Sequence, residues 1–476
     1  MLGSKIRAKR RSRSLTQAEL ARRLGISASY LNLIEHNQRP LTAELLIKLA
    51  SEFGLELSDF AVDEDRRLAA HLMEAFADPV FEDHGINSAD VRELASASPA
   101  IARAVLELYE QFQRARGSLA ELAEQDYAAQ QSGSGRATSL RTEGLPSEEV
   151  NDFIQRHMNY FDELEGLAEQ LWVDARLERG ARFAGMARWL ERQGYGVQLV
   201  SGDSRIVRRY DRDLRRISLS EGLAPASRNF QLAAQIALLC HHDLLERLSD
   251  DDEGLSSASA RTLARLVLAN YFAGAVLMPY EGFLRAAKAQ RYDVELLVNR
   301  FGTNFEQTCH RLTTMRRPGH EGVPFHMLRV DLAGNISKRF SGSGIRFARF
   351  SGACPRWNVF RAFQTPGMIR VQISIMPDGD TFFCVARTVQ RSRGGHGAPR
   401  STMAIGLGCP LDYADKLVYA DGMDLGDRGG MLAVGVTCRL CDRHDCEQRV
   451  LPSLQQPLTL REDVRGVSLF SDPESG

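Results

Sequence analysis

The chain has 476 residues, enough for roughly three domains at about 150 residues each. Hydrophobic residues make up 43% and charged residues 25%, the balance of a soluble globular protein. The 60 Lys and Arg against 61 Asp and Glu leave a net charge of −1, which excludes a uniformly basic nucleic-acid coat and an acidic disordered tail. Eight cysteines are too few for a disulfide scaffold, and the basic start is not followed by the apolar core of a secretory signal. A reducing, cytoplasmic setting is therefore expected. The apolar run Leu266 to Pro279 is interrupted by Asn270 and too short to span a bilayer, so it reads as a buried helix.

Charge is unevenly placed. Residues 1–60 carry 10 Lys and Arg against 6 Asp and Glu, with Lys5, Arg7, Lys9, Arg10, Arg11 and Arg13 all preceding the first acid, Glu19. A basic module on a nearly neutral chain points to phosphate contacts made by that module. Its helix signals are strong: Thr16 and Glu19 form a capping box, Gly25 stops the first helix, and Ser27 caps a second that runs to His36. Arg39-Pro40 breaks the chain, and Thr42 opens a third helix through Phe53. Two short helices joined around a glycine make a helix-turn-helix. LTQAELARRLGISASYLNLIEHNQRP resembles the Cro/C1-type repressor family, a likeness that covers about residues 3–61.

The second helix is expected to enter the major groove, with Ala28, Ser29, Tyr30 and Asn32 as candidates for base edges and Ser27 at its start. Gln17 stands where the resembling family often places a phosphate- or base-contacting glutamine. Asn37, Arg39, Lys5 and Arg7 are candidates for backbone positioning. One such module is small, so a homodimer on a near-palindromic operator in double-stranded DNA is expected.

Residues 62–130 show helical spacing, through Ile101, Val105, Leu108 and Phe112 and then Leu119 and Leu122, and read as a connector that can also pair two chains. The Gly/Ser-rich stretch within 131–144 reads as a linker.

In the next segment, 145–322, FQLAAQIALLCHH (Phe230–His242) and ANYFAGAVLMP (Ala269–Pro279) resemble the ImmA/IrrE family of zinc peptidases. The family's His-Glu-x-x-His positions hold Ala234, Gln235 and Leu238, none of which can ligate zinc or act as the base. Thr262 to Leu268 also lacks the downstream carboxylate. A degenerate, mainly helical, non-catalytic domain is expected. His242 and Glu246, four apart, are the alternative ligand pair, with a solvated surface as the simpler reading.

From about residue 323 the periodicity becomes that of strands. Phe325–Val330 and Ile336–Phe340 flank a turn, Ile369 to Ile375 alternate, and Pro377-Asp-Gly-Asp380 leads into Phe382–Thr388. Met431 to Thr437 is a further apolar run, while Gly406-Leu-Gly before Cys409 reads as turn-like. Cys438, Cys441 and Cys446 with Cys409 can enclose a structural zinc, His444 can replace one of them, and unliganded thiols or a redox CxxC are the other readings. Cys240, Cys309 and Cys384 read as core residues, and no histidine is evidently placed to activate a cysteine.

GACPRWNVFRAF (Gly352–Phe363), IGLGC (Ile405–Cys409), LVYADG (Leu417–Gly422) and CRLCDRHDCEQR (Cys438–Arg449), together with the helix-turn-helix and the degenerate peptidase-like part, resemble the short-chain fatty acyl transcriptional regulator family. The fold class expected is multidomain: an all-α helix-turn-helix domain (1–61), a mainly helical zincin-like middle domain (145–322) and an α+β C-terminal domain (323–476). The resemblance implies a regulator of propionyl-CoA, methylcitrate or glyoxylate-type metabolism that responds to an acyl-CoA. Lys338, Arg339, Arg346 and Arg349 are the candidate phosphate cations, and Trp357 and Phe360 the candidate acyl slot. The competing classes are a repressor-linked zinc metallopeptidase and a phage- or toxin-type repressor controlled by a protein partner.

Overall fold

The computed structural model describes residues 6, 10, 15–35, 39, 45, 48–49, 62–78, 80–81, 86–113, 115, 146–201, 206–348, 353–392, 400–438, 441, 443, 445–453, 466–468 and 470. They divide into two compact units. The first comprises Met1–Thr142, Arg346–Ala353 and Gly435–Gly476, and the second Glu143–Ile345 and Cys354–Val434.

In the first unit, α1 (Gln17–Leu24) starts at the anticipated capping box. Thr16 Oγ1 accepts from the Glu19 N–H at 3.2 Å, and the Glu19 carboxylate accepts from the Thr16 N–H at 2.8 Å. Gly25, at φ 72°, ends the helix in the left-handed conformation that only glycine adopts without cost. α2 (Ala28–Glu35) follows after two residues, with Ser27 Oγ accepting from the Tyr30 N–H at 3.1 Å. Leu20, Leu24, Leu31 and Ile34 pack with Ile6, Leu45 and Leu49 into a small core. The rest of the third helix expected over Thr42–Phe53 lies outside the described residues, as does the linker at 131–144. α3 (Val62–Phe76), α4 (Ser88–Ala97) and α5 (99–113) form the helical connector around Leu72, Val91, Leu106 and Tyr109.

The second unit opens with α6 (Pro146–Arg156), α7 (Asp162–Asp174) and α8 (Arg182–Arg192). A three-stranded sheet follows, β1 (Gly196–Val200), β2 (Arg208–Asp211) and β3 (Arg216–Ser220), in the order β1-β3-β2. Sequence reading did not anticipate these strands, because they are only four or five residues long. Then come α9 (Pro225–Cys240), α10 (His242–Asp250), α11 (Ala258–Leu277), α12 (Tyr280–Ala289), α13 (Val294–Phe301) and α14 (Phe305–Thr313). The expected apolar helix is the second half of α11, buried from Leu268 to Leu277 except at Asn270. Among the described residues no single helix is long and apolar enough to cross a membrane.

A buried ion pair ties three of these helices. The Arg311 guanidinium on α14 forks onto Glu165 of α7, with one arm at 2.8 Å, and donates to the Met278 carbonyl at 2.9 Å. Tyr271 of α11 donates to the same carboxylate at 2.6 Å. Burial first, and the Glu165 charge second, raise the Tyr271 phenol well above its ordinary range, so it stays a donor.

The same unit continues into a six-stranded sheet: β4 (His326–Val330), β5 (Ile336–Ser341), β6 (Arg370–Ile375), β7 (Thr381–Ser392), β8 (Arg400–Pro410) and β9 (Leu432–Ala433), in the order β5-β4-β8-β7-β6-β9. All pairs are antiparallel except β6 with β9. Both expected hairpins are present. The apolar run Met431 to Thr437 yields only the two residues of β9. IGLGC, read as turn-like, instead lies within the central strand β8. Two glycines in a strand interior mimic a turn signal; here they mark a close approach across the sheet. One sheet face, with Met327, Ile373, Phe383, Val385, Ile405 and Leu407, packs into the core of α12 to α14. The opposite face is crossed by the short helix α15 (Asn358–Arg361).

Candidate functional site

Two sites emerge, one in each unit. In the first, Ala28, Ser29 and Asn32 are exposed on α2, while Leu31 and Ile34 face inward. Ser27 is exposed but its hydroxyl caps the helix, and Tyr30 is half-buried against the small core. The Gln17 amide at the start of α1 donates to Asn32 Oδ1 at 3.1 Å and to Glu35 Oε2 at 2.8 Å, so the two helices present one braced polar edge. Behind it, Arg10 donates to Glu35 at 2.7 Å through Nε and at 2.9 Å through Nη2. That pairing withdraws Arg10 from the exposed basic set and leaves it a brace. Arg39 is exposed, whereas Lys5, Arg7 and Asn37 lie outside the described residues.

The second site is a narrow cavity on the α15 face of the six-stranded sheet, with about 20 Å³ open to a water-sized sphere within about 330 Å³ of space that includes open solvent. Trp357, Leu328, Ile345 and Val434 give its apolar walls; His326, Asn358, Gln372, Ser374 and Cys384 are its polar atoms. Strand pairing builds it, since Gly408 sits opposite both His326 of β4 and Cys384 of β7. A Cβ at Gly408 would lie 2.5 Å from His326 Nε2 and 2.8 Å from Cys384 Sγ, and one at Gly406 would lie 3.1 Å from Leu328 Cδ2. The two glycines are therefore what makes the space. Asn358 donates to the carbonyls of Arg370 at 3.1 Å and Cys384 at 3.0 Å, pinning α15 over β6 and β7.

Inside, Cys384 Sγ lies 3.5 Å from His326 Nε2, and His326 Nδ1 lies 2.7 Å from Ser343 Oγ. Burial pulls the His326 imidazole down to about 3 and pushes the Cys384 thiol up to about 12, so both are neutral near pH 7. Among the described residues, no Lys, Arg, Asp or Glu lines the cavity. Sequence reasoning treated Cys384 as a core residue and missed this histidine, because pairing of distant strands brings the two together. The glycines of IGLGC were the available signal.

Of the described cation and aromatic candidates, only Trp357 lines the cavity. Lys338 and Arg339 are consecutive on β5 and so point to opposite faces, and Arg339 is paired with Glu148. Arg346 belongs to the first unit, Arg349 lies outside the described residues, and Phe360 is half-buried on α15 without lining the cavity. The expected four-cation cluster is therefore not assembled by the described residues.

Cys438, Cys441 and Cys446 follow one another on a loop whose carbonyls converge on the buried Arg449, which donates to Cys438 O at 2.8 Å and Cys441 O at 2.8 Å. Cys409 is buried on β8 in the other unit, and His444 lies outside the described residues. Among the described residues no three His, Cys, Asp or Glu side chains are grouped to hold a metal ion, so the expected zinc site is not assembled there. At the peptidase-like positions Ala234 and Gln235 are buried in α9, and Leu238 packs against the same core, so these side chains do not fit a zinc ion. His242 and Glu246 form an exposed pair at 3.1 Å.

Comparison with known proteins places these features in a family. The model of the short-chain fatty acyl coenzyme A regulator C-terminal domain matches residues 314–470, that of the IrrE N-terminal-like domain 195–313, and a helix-turn-helix model 6–60. The chain is 42% identical to the propionyl-CoA carboxylase regulator of Cereibacter sphaeroides, over 98% of this chain and 97% of that protein. It is 40% identical to the HTH-type transcriptional regulator RamB of Mycobacterium tuberculosis (98% of each chain) and 37% identical to PrpR of the same species (99% and 96%). A solved structure titled Mycobacterium tuberculosis transcriptional regulator aligns with a TM-score of 0.66 at 40% identity, covering 69% of this chain and all of that one.

Proposed function

The chain belongs to the short-chain fatty acyl coenzyme A regulator family, and from that premise we propose that it is a sequence-specific DNA-binding transcriptional regulator whose operator affinity is set by a short-chain acyl-CoA. The observation that carries this reading is the pairing, in one chain, of a braced polar edge on α1 and α2 with a narrow cavity whose described lining carries no charged side chain. Ser29 and Asn32 read base edges, Ala28 offers a methyl contact, and Gln17 and Arg39 position the phosphate backbone. The cavity takes the acyl end of the effector, because an uncharged polar lining suits a thioester carbonyl and a short hydrocarbon and disfavours a free carboxylate. The peptidase-like helices act as a scaffold without hydrolysis. Two chains bind one near-palindromic operator.

Titrating the purified full-length protein with its operator, with and without propionyl-CoA, tests the proposal. A tenfold change in operator affinity corresponds to about 1.4 kcal/mol of differential effector binding. An unchanged curve with propionyl-CoA, and with its neighbours in chain length, overturns the effector assignment.

A further inference from the structure

The effector reading above gives the cavity a ligand; its polar atoms point to chemistry on that ligand. His326 and Cys384 stand side by side on β4 and β7, Nε2 to Sγ at 3.5 Å, and Ser343 Oγ sits 2.7 Å from the other ring nitrogen. A neutral imidazole carries one proton. If Nδ1–H donates to Ser343, the Nε2 lone pair faces the thiol, which is the arrangement of nucleophile, base and orienter used in acyl transfer. Ser374 adds a hydrogen bond to the thiol. Gly408 keeps its side of β8 bare where any Cβ would collide with both groups. Nothing in the helix-turn-helix or the peptidase-like scaffold uses this cluster.

We propose that Cys384 is an acyl acceptor: the thioester effector transfers its short acyl group to the Cys384 sulfur, with His326 as general base and Ser343 as a positioning residue. The Cys384 S–H proton passes to His326 Nε2 as sulfur attacks the thioester carbonyl. The bond between that carbonyl carbon and the CoA sulfur breaks, and the CoA thiolate takes the proton from the imidazolium as it leaves. One thioester is replaced by another, so the step needs no oxidant, reductant or further reactant, and free CoA reverses it. Burial holds both groups neutral at rest, so the proton must leave sulfur during the attack and not before it.

This inference rests on the proposed effector, and the test separates the two. The full-length protein is incubated with propionyl-CoA, with a non-transferable thioether analogue of it, or with propionate. Each sample is divided between thermal-shift measurement and denaturing mass spectrometry with peptide mapping. The expected result is one acyl group per chain on Cys384 with propionyl-CoA only, removed by hydroxylamine or by excess CoA, while the thioether raises the melting temperature without forming an adduct. His326→Gln is expected to slow acylation of Cys384 by on the order of a hundredfold or more. Stabilisation by both CoA compounds with no adduct on wild-type Cys384 overturns the acyl-acceptor proposal and leaves the effector reading standing. No stabilisation by either compound, and no adduct, overturns both. Mapping on the wild-type chain keeps the test decisive even if Cys384→Ser misfolds.

Discussion

Gly408 shows how much one hydrogen atom can decide. Because β8 carries no side chain there, His326 and Cys384 meet across it; Gly408→Ala inserts a methyl 2.5 Å from His326 Nε2. Both groups it meets are packed within the sheet, so a cost of about 1–3 kcal/mol is expected, read as a lower denaturation midpoint at unchanged m-value. His326 itself makes stability depend on pH. Its folded pKa, about 3, lies below the unfolded value of 6.5, so the unfolded chain binds more protons between those limits. The contribution is complete above pH 6.5 and is lost as pH falls toward 3, at up to about 1.4 kcal/mol per pH unit. Chemical denaturation of wild type and His326→Gln at several pH values isolates it: the gap between the two should narrow or reverse as pH drops below 6.5.

At the level of helices and strands, the buried Glu165–Arg311 pair fixes α7, α11 and α14 to one another. Glu165→Gln strands a buried guanidinium and should cost about 3–5 kcal/mol in equilibrium unfolding. Glu163→Gln, two residues earlier, removes an exposed partner of Arg247, and should stay within about 1 kcal/mol of wild type. For α2, replacing Ser29 and Asn32 together by Ala should remove about 1–3 kcal/mol per lost base contact, flatten discrimination between operator variants, and leave the melting temperature unchanged. Unaltered footprints with that double variant would remove α2 from the reading role. The helix pair was legible in the sequence because its determinants are local: a capping box, a left-handed glycine and an apolar repeat all lie within 20 residues. The sheet cavity was not, since His326 and Cys384 are separated by 58 positions and meet only through strand pairing. The same reason hid β8, whose glycines resemble a loop until its neighbours are known.

Across the whole molecule, the chain joins a helix-turn-helix head to a body that is similar to the IrrE N-terminal-like domain over residues 195–313. In α9 Ala234 and Gln235 are buried and Leu238 packs against the same core, three side chains that cannot hold a metal ion. A single helix-turn-helix buries too little surface for tight specific binding, so two chains per operator are expected. Sedimentation of the full-length protein with a labelled operator duplex checks this, and a one-to-one complex at saturation would reject it.

The alternation along β8 has a mechanical consequence. Gly406 borders the cavity and Gly408 faces His326 and Cys384, while the side chains of Ile405 and Leu407 pack into the core of α12 to α14. β8 is hydrogen-bonded on both edges, to β4 and β7, and lies in a close-packed interior that transmits strain from one face to the other. Any guest that presses on the glycine side therefore delivers its push through the sheet into α12 to α14, without a separate relay.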